Sequence, residues 1–307
     1  MNKTILPIAI ALGLVGCDDG ATMMMTDAGV DLPPAEAFVE GATDYEPISL
    51  DYSCLGTRVA PTPGPDIDVQ FQLRDFQDSF AVTETEVWLF TDNVIGDACT
   101  GGCQDFTTDM MGNASVSMPT GGWYAYRVLP HDGPSPLTRV FGVFQYNEPA
   151  PDTAGGSVEG NSVSGSTIDL IPALLGITRE DGRAIIAGRI HDCVDSNIRG
   201  AVIRIYDPDG NLIPPGPRTV DPKYHYFLGH VMGNVPAMEA QYSAADGLYV
   251  APQIPLVDNR PYRVEAWANY EGEYQRVSCE TARIFSDSVT IVNLGPLRSD
   301  ADPACAM

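Results

Sequence analysis

The sequence predicts an all-β protein that contains two tandem β-sandwiches. Apolar and polar residues alternate in short segments, as in residues 66–73, where Ile67, Val69, Phe71 and Leu73 are separated by Asp or Gln. Such alternation is typical of strands with one buried face. Gly, Pro and Asp turns separate the segments. Short strands joined by such turns indicate a sandwich or a barrel.

Residues 48–147 are assigned to the first sandwich. No segment of this region keeps a helical period of 3.6 residues over three turns. Trp123, Tyr124 and Tyr126 are interpreted as strand residues, some of them in the core. The predicted strands of this sandwich cover residues 66–73, 87–90, 114–118, 123–129 and 139–146.

The second sandwich is assigned to residues 167–298. Residues 148–166 precede it and are rich in Pro, Gly and Ser, which predicts a linker. Residues 299–307 are assigned to a C-terminal tail. In both sandwiches a turn, a strand, a proline and a tyrosine follow in the same order, which indicates an internal repeat. The predicted strands of the second sandwich cover residues 168–177, 184–191, 201–206, 248–251, 262–268 and 289–294.

Residues 1–16 have the features of a secretion signal. Lys3 is followed by a twelve-residue apolar run from Ile5 to Gly16, which is shorter than the about 20 residues that span a bilayer. Leu14, Val15 and Gly16 precede Cys17, a pattern that resembles bacterial lipoprotein signals. The resemblance implies a diacylglyceryl thioether on Cys17, cleavage before it and acylation of the new amino group. The alternative is an ordinary signal peptide with an incidental cysteine.

Residues 17–47 are acidic, rich in Ala, Pro and Gly, and lack apolar periodicity, so we expect a lipidated cysteine followed by a disordered tether. Without residues 1–16 the chain has 16 bases and 41 acids, a formal charge of −25. A surface of this charge repels nucleic acid and anionic headgroups. The expected location is the cell envelope, either the outer membrane or the periplasmic face of the inner membrane.

Six cysteines remain after cleavage, and an exported protein is expected to form disulfides. Six cysteines allow 15 connectivities. We favour Cys193–Cys279, because both lie in the second sandwich, and Cys99–Cys103, which closes a small loop; Cys54 and Cys305 then remain as a pair. A zinc site at Cys99 and Cys103 is the alternative, although a single C-x₃-C spacing is a weak signal.

Motifs in the second sandwich resemble the carboxypeptidase regulatory-like module. Residues 188–190 read Gly-Arg-Ile, residues 200–205 read Gly-Ala-Val-Ile-Arg-Ile and residues 246–249 read Asp-Gly-Leu-Tyr. In the first sandwich, residues 109–112 and 119–124 are similar to parts of the same pattern. The resemblance implies two Ig-like or transthyretin-like sandwiches, a fold with no catalytic residues of its own. The whole chain also resembles uncharacterised lipoproteins of myxobacteria.

The sequence contains few candidates for chemistry. G-x-S-x-G, H-E-x-x-H, Walker A and G-x-G-x-x-G motifs are all absent from the sequence, so we predict no enzyme activity, cofactor or metal site. His225 and His230 are five residues apart and are expected to be exposed and unpaired. Asp207 to Asn211 is interpreted as a hairpin turn, with calcium binding as the alternative.

Tyr224, Tyr226 and Phe227 form the most ligand-like cluster, because they lie in an insertion between two strands. Their rings could stack on a sugar or enter a partner's pocket, or they could pin the insertion to the domain. The expected function is a non-catalytic, membrane-anchored envelope lipoprotein that acts as a scaffold, an adhesion module or a binding module. The alternatives are a carbohydrate-binding module and an unrecognised envelope hydrolase or its accessory subunit.

Overall fold

Alternating segments form strands in a computed structural model of the 307-residue chain. The structure describes residues 32–41, 44–91, 94–213, 224–227, 236–237 and 240–305. Cys17, His230, the signal segment and the first part of the tether lie outside these residues. The described residues belong to one unit.

The described residues contain eighteen strands, one α-helix and two short 3₁₀ helices. The 3₁₀ helices cover Pro136–Thr138 and Pro303–Cys305, and the α-helix, α1, covers Gly165–Leu174. The strands are β1 Glu36–Glu40, β2 Tyr45–Ile48, β3 Asp66–Asp75, β4 Glu86–Phe90, β5 Cys103–Thr107, β6 Asn113–Pro119, β7 Trp123–Val128, β8 Val140–Pro149, β9 Ser157–Ser164, β10 Ala184–Arg189, β11 Asn197–Arg199, β12 Ala201–Tyr206, β13 His225–Phe227, β14 Pro236–Ala237, β15 Leu248–Ile254, β16 Tyr262–Tyr270, β17 Glu273–Ala282 and β18 Ser288–Val292.

A central sheet runs through both predicted sandwiches in the order β14-β13-β15-β10-β18-β8-β7-β4-β5. Strand β18 lies between β8 and β10 and is parallel to both. Val289, Thr290 and Val292 of β18 are buried. A strand that is buried on both faces is apolar along its length and does not alternate strictly between apolar and polar residues. Because β18 pairs with one strand from each half, the two halves share one hydrogen-bonded sheet.

Two outer layers cover opposite faces of this central sheet. Strand β3 pairs with β6 and β9, and β12, β16 and β17 form a separate three-stranded sheet. On β10, Ile185 packs into the core that contains β3, whereas Ile186 packs into the core that contains β16. Successive side chains of a strand point to opposite faces. One face of the sheet therefore packs on β3 and β9, and the other packs on β12, β16 and β17.

The tether prediction is wrong for residues 36–40 and 45–47, which lie in β1 and β2. Strand β1 pairs with β2 on one side and with β11 on the other. Ala37 is buried, and a salt bridge of 2.9 Å joins Glu36 to Arg199. The short Ala-Phe-Val segment of β1 is sufficient for this role because neighbouring strands supply its hydrogen bonds.

The linker prediction is wrong for residues 157–164, which form β9 and pair with both β3 and β8. Val158 and Val163 are buried in the core. Gly160 is required at its position because an added Cβ would lie 2.3 Å from the Phe71 ring. Gly160 therefore reflects close packing rather than flexibility.

The strand predicted at residues 168–177 is instead helix α1. The Ser164 hydroxyl accepts a hydrogen bond from the Thr167 amide at 3.4 Å, so Ser164 is the N-cap. Capping satisfies a backbone amide that has no partner within the helix. Ile168 and Pro172 are buried on the face of α1 that packs on the body.

The structure contains the disulfides Cys54–Cys193, Cys99–Cys103 and Cys279–Cys305. The predicted pairs Cys193–Cys279 and Cys54–Cys305 are therefore wrong. Cys193 follows β10 of the central sheet, whereas Cys279 lies on β17 of an outer sheet. The backbone of residues 51–54 contacts the turn after β10, where the Cys193 amide donates to the Asp51 carbonyl at 2.9 Å.

We predict that Gly188→Ala destabilises the protein by about 1–3 kcal/mol through overpacking. An added Cβ at Gly188 would lie 2.0 Å from the Val292 carbonyl oxygen, between β10 and β18. It would also displace the Tyr249 hydroxyl, which donates to the same oxygen at 2.6 Å. Urea denaturation would measure the change in free energy of unfolding. Gly156→Ala is the matched control, because its added Cβ meets atoms only at 3.6 Å or beyond; equal stability of the two variants would contradict the packing of β18.

Candidate binding site

Tyr224 and Tyr226 pin β13 to an outer sheet. The Tyr226 hydroxyl accepts a hydrogen bond from the Ile203 amide at 2.9 Å, and the Tyr224 hydroxyl accepts one from the Ile205 amide at 3.2 Å. The Tyr224 hydroxyl also donates to the Ile213 carbonyl. Tyr226 is 3% exposed. Of the two roles considered for these rings, the structure shows the pinning one.

Phe227 is also 3% exposed, so neither Tyr226 nor Phe227 presents its ring at the surface for stacking on a ligand. His225 is buried too, which contradicts its predicted exposure. These residues are buried because β13 pairs with β15 at an interior position of the central sheet. Phe227 lines a cavity instead of the surface.

The Asp207 segment is a hairpin turn, as predicted. The Asp207 carboxylate accepts hydrogen bonds from the amides of Asp209 at 2.9 Å and Asn211 at 2.8 Å. A side chain that bonds amides two and four residues ahead holds a tight turn. Among the described residues there is no group of three or more side chains that could bind a metal.

A cavity of about 300 Å³ lies where the two halves of the central sheet meet. We call it the junction cavity. One wall is formed by strands β10, β13, β15 and β18, and the opposite wall by β9 and α1. Its apolar walls include Ile185, Val250, Ile291, Val163, Ile168 and Phe227.

Polar side chains lie at one end of the junction cavity, where three adjacent parallel strands finish. Glu148, Asn293 and Arg189 lie at the carboxyl ends of β8, β18 and β10 respectively. The register pairs Ala187 with Ile291, which places Arg189 level with Asn293. Parallel strands in register bring residues that are distant in sequence to one edge of the sheet. This edge therefore supplies the polar end of an otherwise apolar cavity.

A hydrogen-bond network fixes the Glu148 carboxylate. Its Oε1 atom accepts from the Gln145 amide and from the Asn293 amide, the latter at 3.1 Å. Gln145 in turn accepts from the Tyr126 hydroxyl, and Asn293 Oδ1 accepts from the Arg189 backbone amide at 3.2 Å. Neighbouring groups thus hold each member of the network in place, which preorganises the site.

Burial raises the pKa of Glu148 from 4.5 to about 7, against the opposing effects of the Gln145 hydrogen bond and the Arg189 charge. Burial disfavours the charged form of a carboxyl group. Glu148 is half-buried because its carboxyl faces two cavities. The carboxyl therefore changes charge near neutral pH.

The second cavity, of about 320 Å³, is polar and shares Glu148, Arg189 and Asn293 with the first. Its lining also includes Trp123 and His191. The guanidinium groups of Arg58 and Arg298 lie 5.6 and 4.7 Å from the centre of the Trp123 ring. These cation–π contacts occupy the ring that a sugar would otherwise use for stacking.

Burial shifts the pKa values of two titratable groups of the polar cavity in the direction that favours their neutral forms. Burial lowers the pKa of His191 to about 4, although Asp195 acts in the opposite direction. Burial raises the pKa of Glu280, and Arg298, at 3.6 Å from its carboxylate, opposes that shift. Sequence reasoning missed this cavity because its residues come from six separate segments.

No family model and no curated protein matches the chain. Solved structures that resemble it include shaft pilin SpaA from Lactobacillus rhamnosus GG, with 12% identity and a TM-score of 0.24, covering 77% of this chain and 98% of that chain. The major pilin subunit BcpA of Bacillus cereus has 9% identity and a TM-score of 0.21, covering 76% and 100%. A DUF3823 family protein from Parabacteroides merdae has 8% identity and a TM-score of 0.22, covering 73% and 98%. Similarity this distant carries no argument about function.

The only α-helix of the described part of the chain has ten residues. Nowhere in that part is there a helix with the length and hydropathy of a membrane span.

We predict that Glu148→Gln removes a pH-dependent loss of stability. Because the folded pKa is about 7 and the ordinary value is 4.5, the stabilising contribution of the protonated carboxyl is complete below pH 4.5 and is lost as the pH rises through 7. Gln mimics the protonated form. Between pH 5 and pH 8 the free energy of unfolding of the variant should rise relative to the unaltered protein by roughly 1–3 kcal/mol. Parallel pH profiles of the two proteins in urea denaturation would contradict the assignment.

Proposed function

We propose that the chain is a lipid-anchored, non-catalytic protein of the cell envelope whose rigid β body acts as a scaffold for a binding site. The observation that carries this proposal is the junction cavity. It is preformed, its walls are apolar, and a fixed polar network lies at one end. Small-molecule sites have this composition.

The first described segment of the chain is tied to the second half of the body through β1. Strand β1 pairs with β11, and the Cys54–Cys193 disulfide joins the following segment to the turn after β10. A disulfide across a long sequence separation, here 139 residues, restricts the unfolded chain strongly. These ties support a rigid scaffold for the binding site.

Net charge supports a body that stands away from the bilayer. The chain without its signal carries a formal charge of −25, and anionic headgroups repel a surface of that sign. Lipid on Cys17 would then be the attachment. The carbohydrate-binding alternative loses its basis in Tyr226 and Phe227, which are buried.

Cys17→Ser tests the anchor. We expect the unaltered protein to remain with membranes after a high-salt wash and the variant to become soluble, because acyl chains and not surface charge hold it. Membrane fractionation followed by immunoblotting measures the partition. Asp18→Asn is the matched control, since it changes the neighbouring residue and keeps the thiol. A Cys17→Ser protein that stays in the membrane fraction would refute the lipid anchor.

A further inference from the structure

We propose that the junction cavity binds a small amphiphile with an aliphatic body of about ten carbons and a polar end that donates a hydrogen bond to Glu148. This inference rests on the proposed binding function, whose site it specifies, and is independent of the lipid anchor.

The dimensions of the cavity support a ligand of this size. An engineered apolar cavity of about 150 Å³ stays dry and holds benzene. The junction cavity, at about 300 Å³, has room for a molecule about twice as large. Most of its walls are aliphatic, with Ile185, Val250, Val289 and Ile291 on the sheet side. Such walls offer water few hydrogen-bond partners. Covering them with an apolar ligand removes apolar surface from water, which favours binding.

The geometry at the polar end favours a hydrogen-bond donor on the ligand. Both amide groups that contact the Glu148 carboxylate donate to Oε1. Among the described residues, no hydrogen bond reaches Oε2. The Gln145 and Asn293 oxygens already accept hydrogen bonds from Tyr126 and from the Arg189 backbone. A ligand hydroxyl therefore meets an available acceptor at Glu148, and a hydrogen bond to a charged acceptor is stronger than one between neutral groups.

The charges that line the cavity disfavour a ligand carboxylate. Glu148 and Arg189 are the charged side chains of the lining. The Arg189 guanidinium is paired with the Asp195 carboxylate at 2.7 Å and donates to the Asn197 side chain at 3.2 Å. Its charge is thus balanced within the protein. A ligand carboxylate would face Glu148, which is ionised above neutral pH, and Arg189, the cation of the lining, is already paired with Asp195; like charges in a partly buried site repel.

The test uses the full chain with Cys17→Ser, which avoids acyl chains and detergent and leaves every described residue unchanged. The probe is N-phenyl-1-naphthylamine, a neutral apolar dye whose fluorescence rises when it leaves water. At pH 8, 1-decanol and decanoate are titrated as competitors of equal chain length. We expect saturable dye binding, and displacement by 1-decanol at a concentration at least about tenfold lower than by decanoate.

Two variants locate the site. Ala187→Phe fills the cavity and should abolish saturable dye binding, whereas Ala81→Phe, at an exposed position, should leave it unchanged. Glu148→Gln keeps the volume and removes the charge, so it should reduce the difference between 1-decanol and decanoate to within about threefold. This second variant tests the proposal even if Ala187→Phe does not fold.

The outcomes separate the ligand class from the binding function. Absence of saturable dye binding to the unaltered cavity would overturn both. Saturable binding that Ala187→Phe abolishes, combined with equal or tighter binding of decanoate, would overturn the ligand class and leave the binding function standing. Binding that a folded Ala187→Phe protein retains in full would place the dye elsewhere and overturn the inference.

Discussion

The parallel hydrogen bonding of β18 to both β8 and β10 is the interaction on which the rest of the structure depends. Strand β18 lies far along the sequence from β8, yet it fills the space between β8 of one half and β10 of the other. Its three central residues, Val289, Thr290 and Ile291, pair on both sides. Without this strand the two halves would each have an unpaired sheet edge, and exposed edges are unfavourable in soluble proteins.

The candidate site follows from this arrangement. Because the outer layers cover opposite faces of the central sheet, one face of the second half is left to the small helix α1 and to β9, and the junction cavity lies beneath them. Because β8, β18 and β10 are parallel and in register, Glu148, Asn293 and Arg189 meet at one edge. The apolar volume of the junction cavity and its polar end therefore both result from the same strand order.

Local sequence patterns predicted most strands but not their partners. The segments 201–206 and 248–251 are recognisable because apolar residues dominate them, and both are strands. Insertion of β18 between two halves depends on contacts across more than 140 residues, and no local pattern reports such contacts. The pairs Cys54–Cys193 and Cys279–Cys305 were missed for the same reason, since sequence spacing does not indicate which sheet a cysteine joins. Glu148 was hidden because it lies in a Pro- and Gly-rich stretch that is typical of linkers.

Native-state hydrogen exchange tests most directly whether β18 makes the two halves one cooperative unit. The amides of β4 in the first half and of β16 in the second half would be followed with increasing urea, with the disulfides intact. If β18 joins the halves, the slowest amides of both strands should converge on one opening free energy with one urea dependence. Two separate plateaus, with β16 opening while β4 stays protected or the reverse, would contradict a shared sheet.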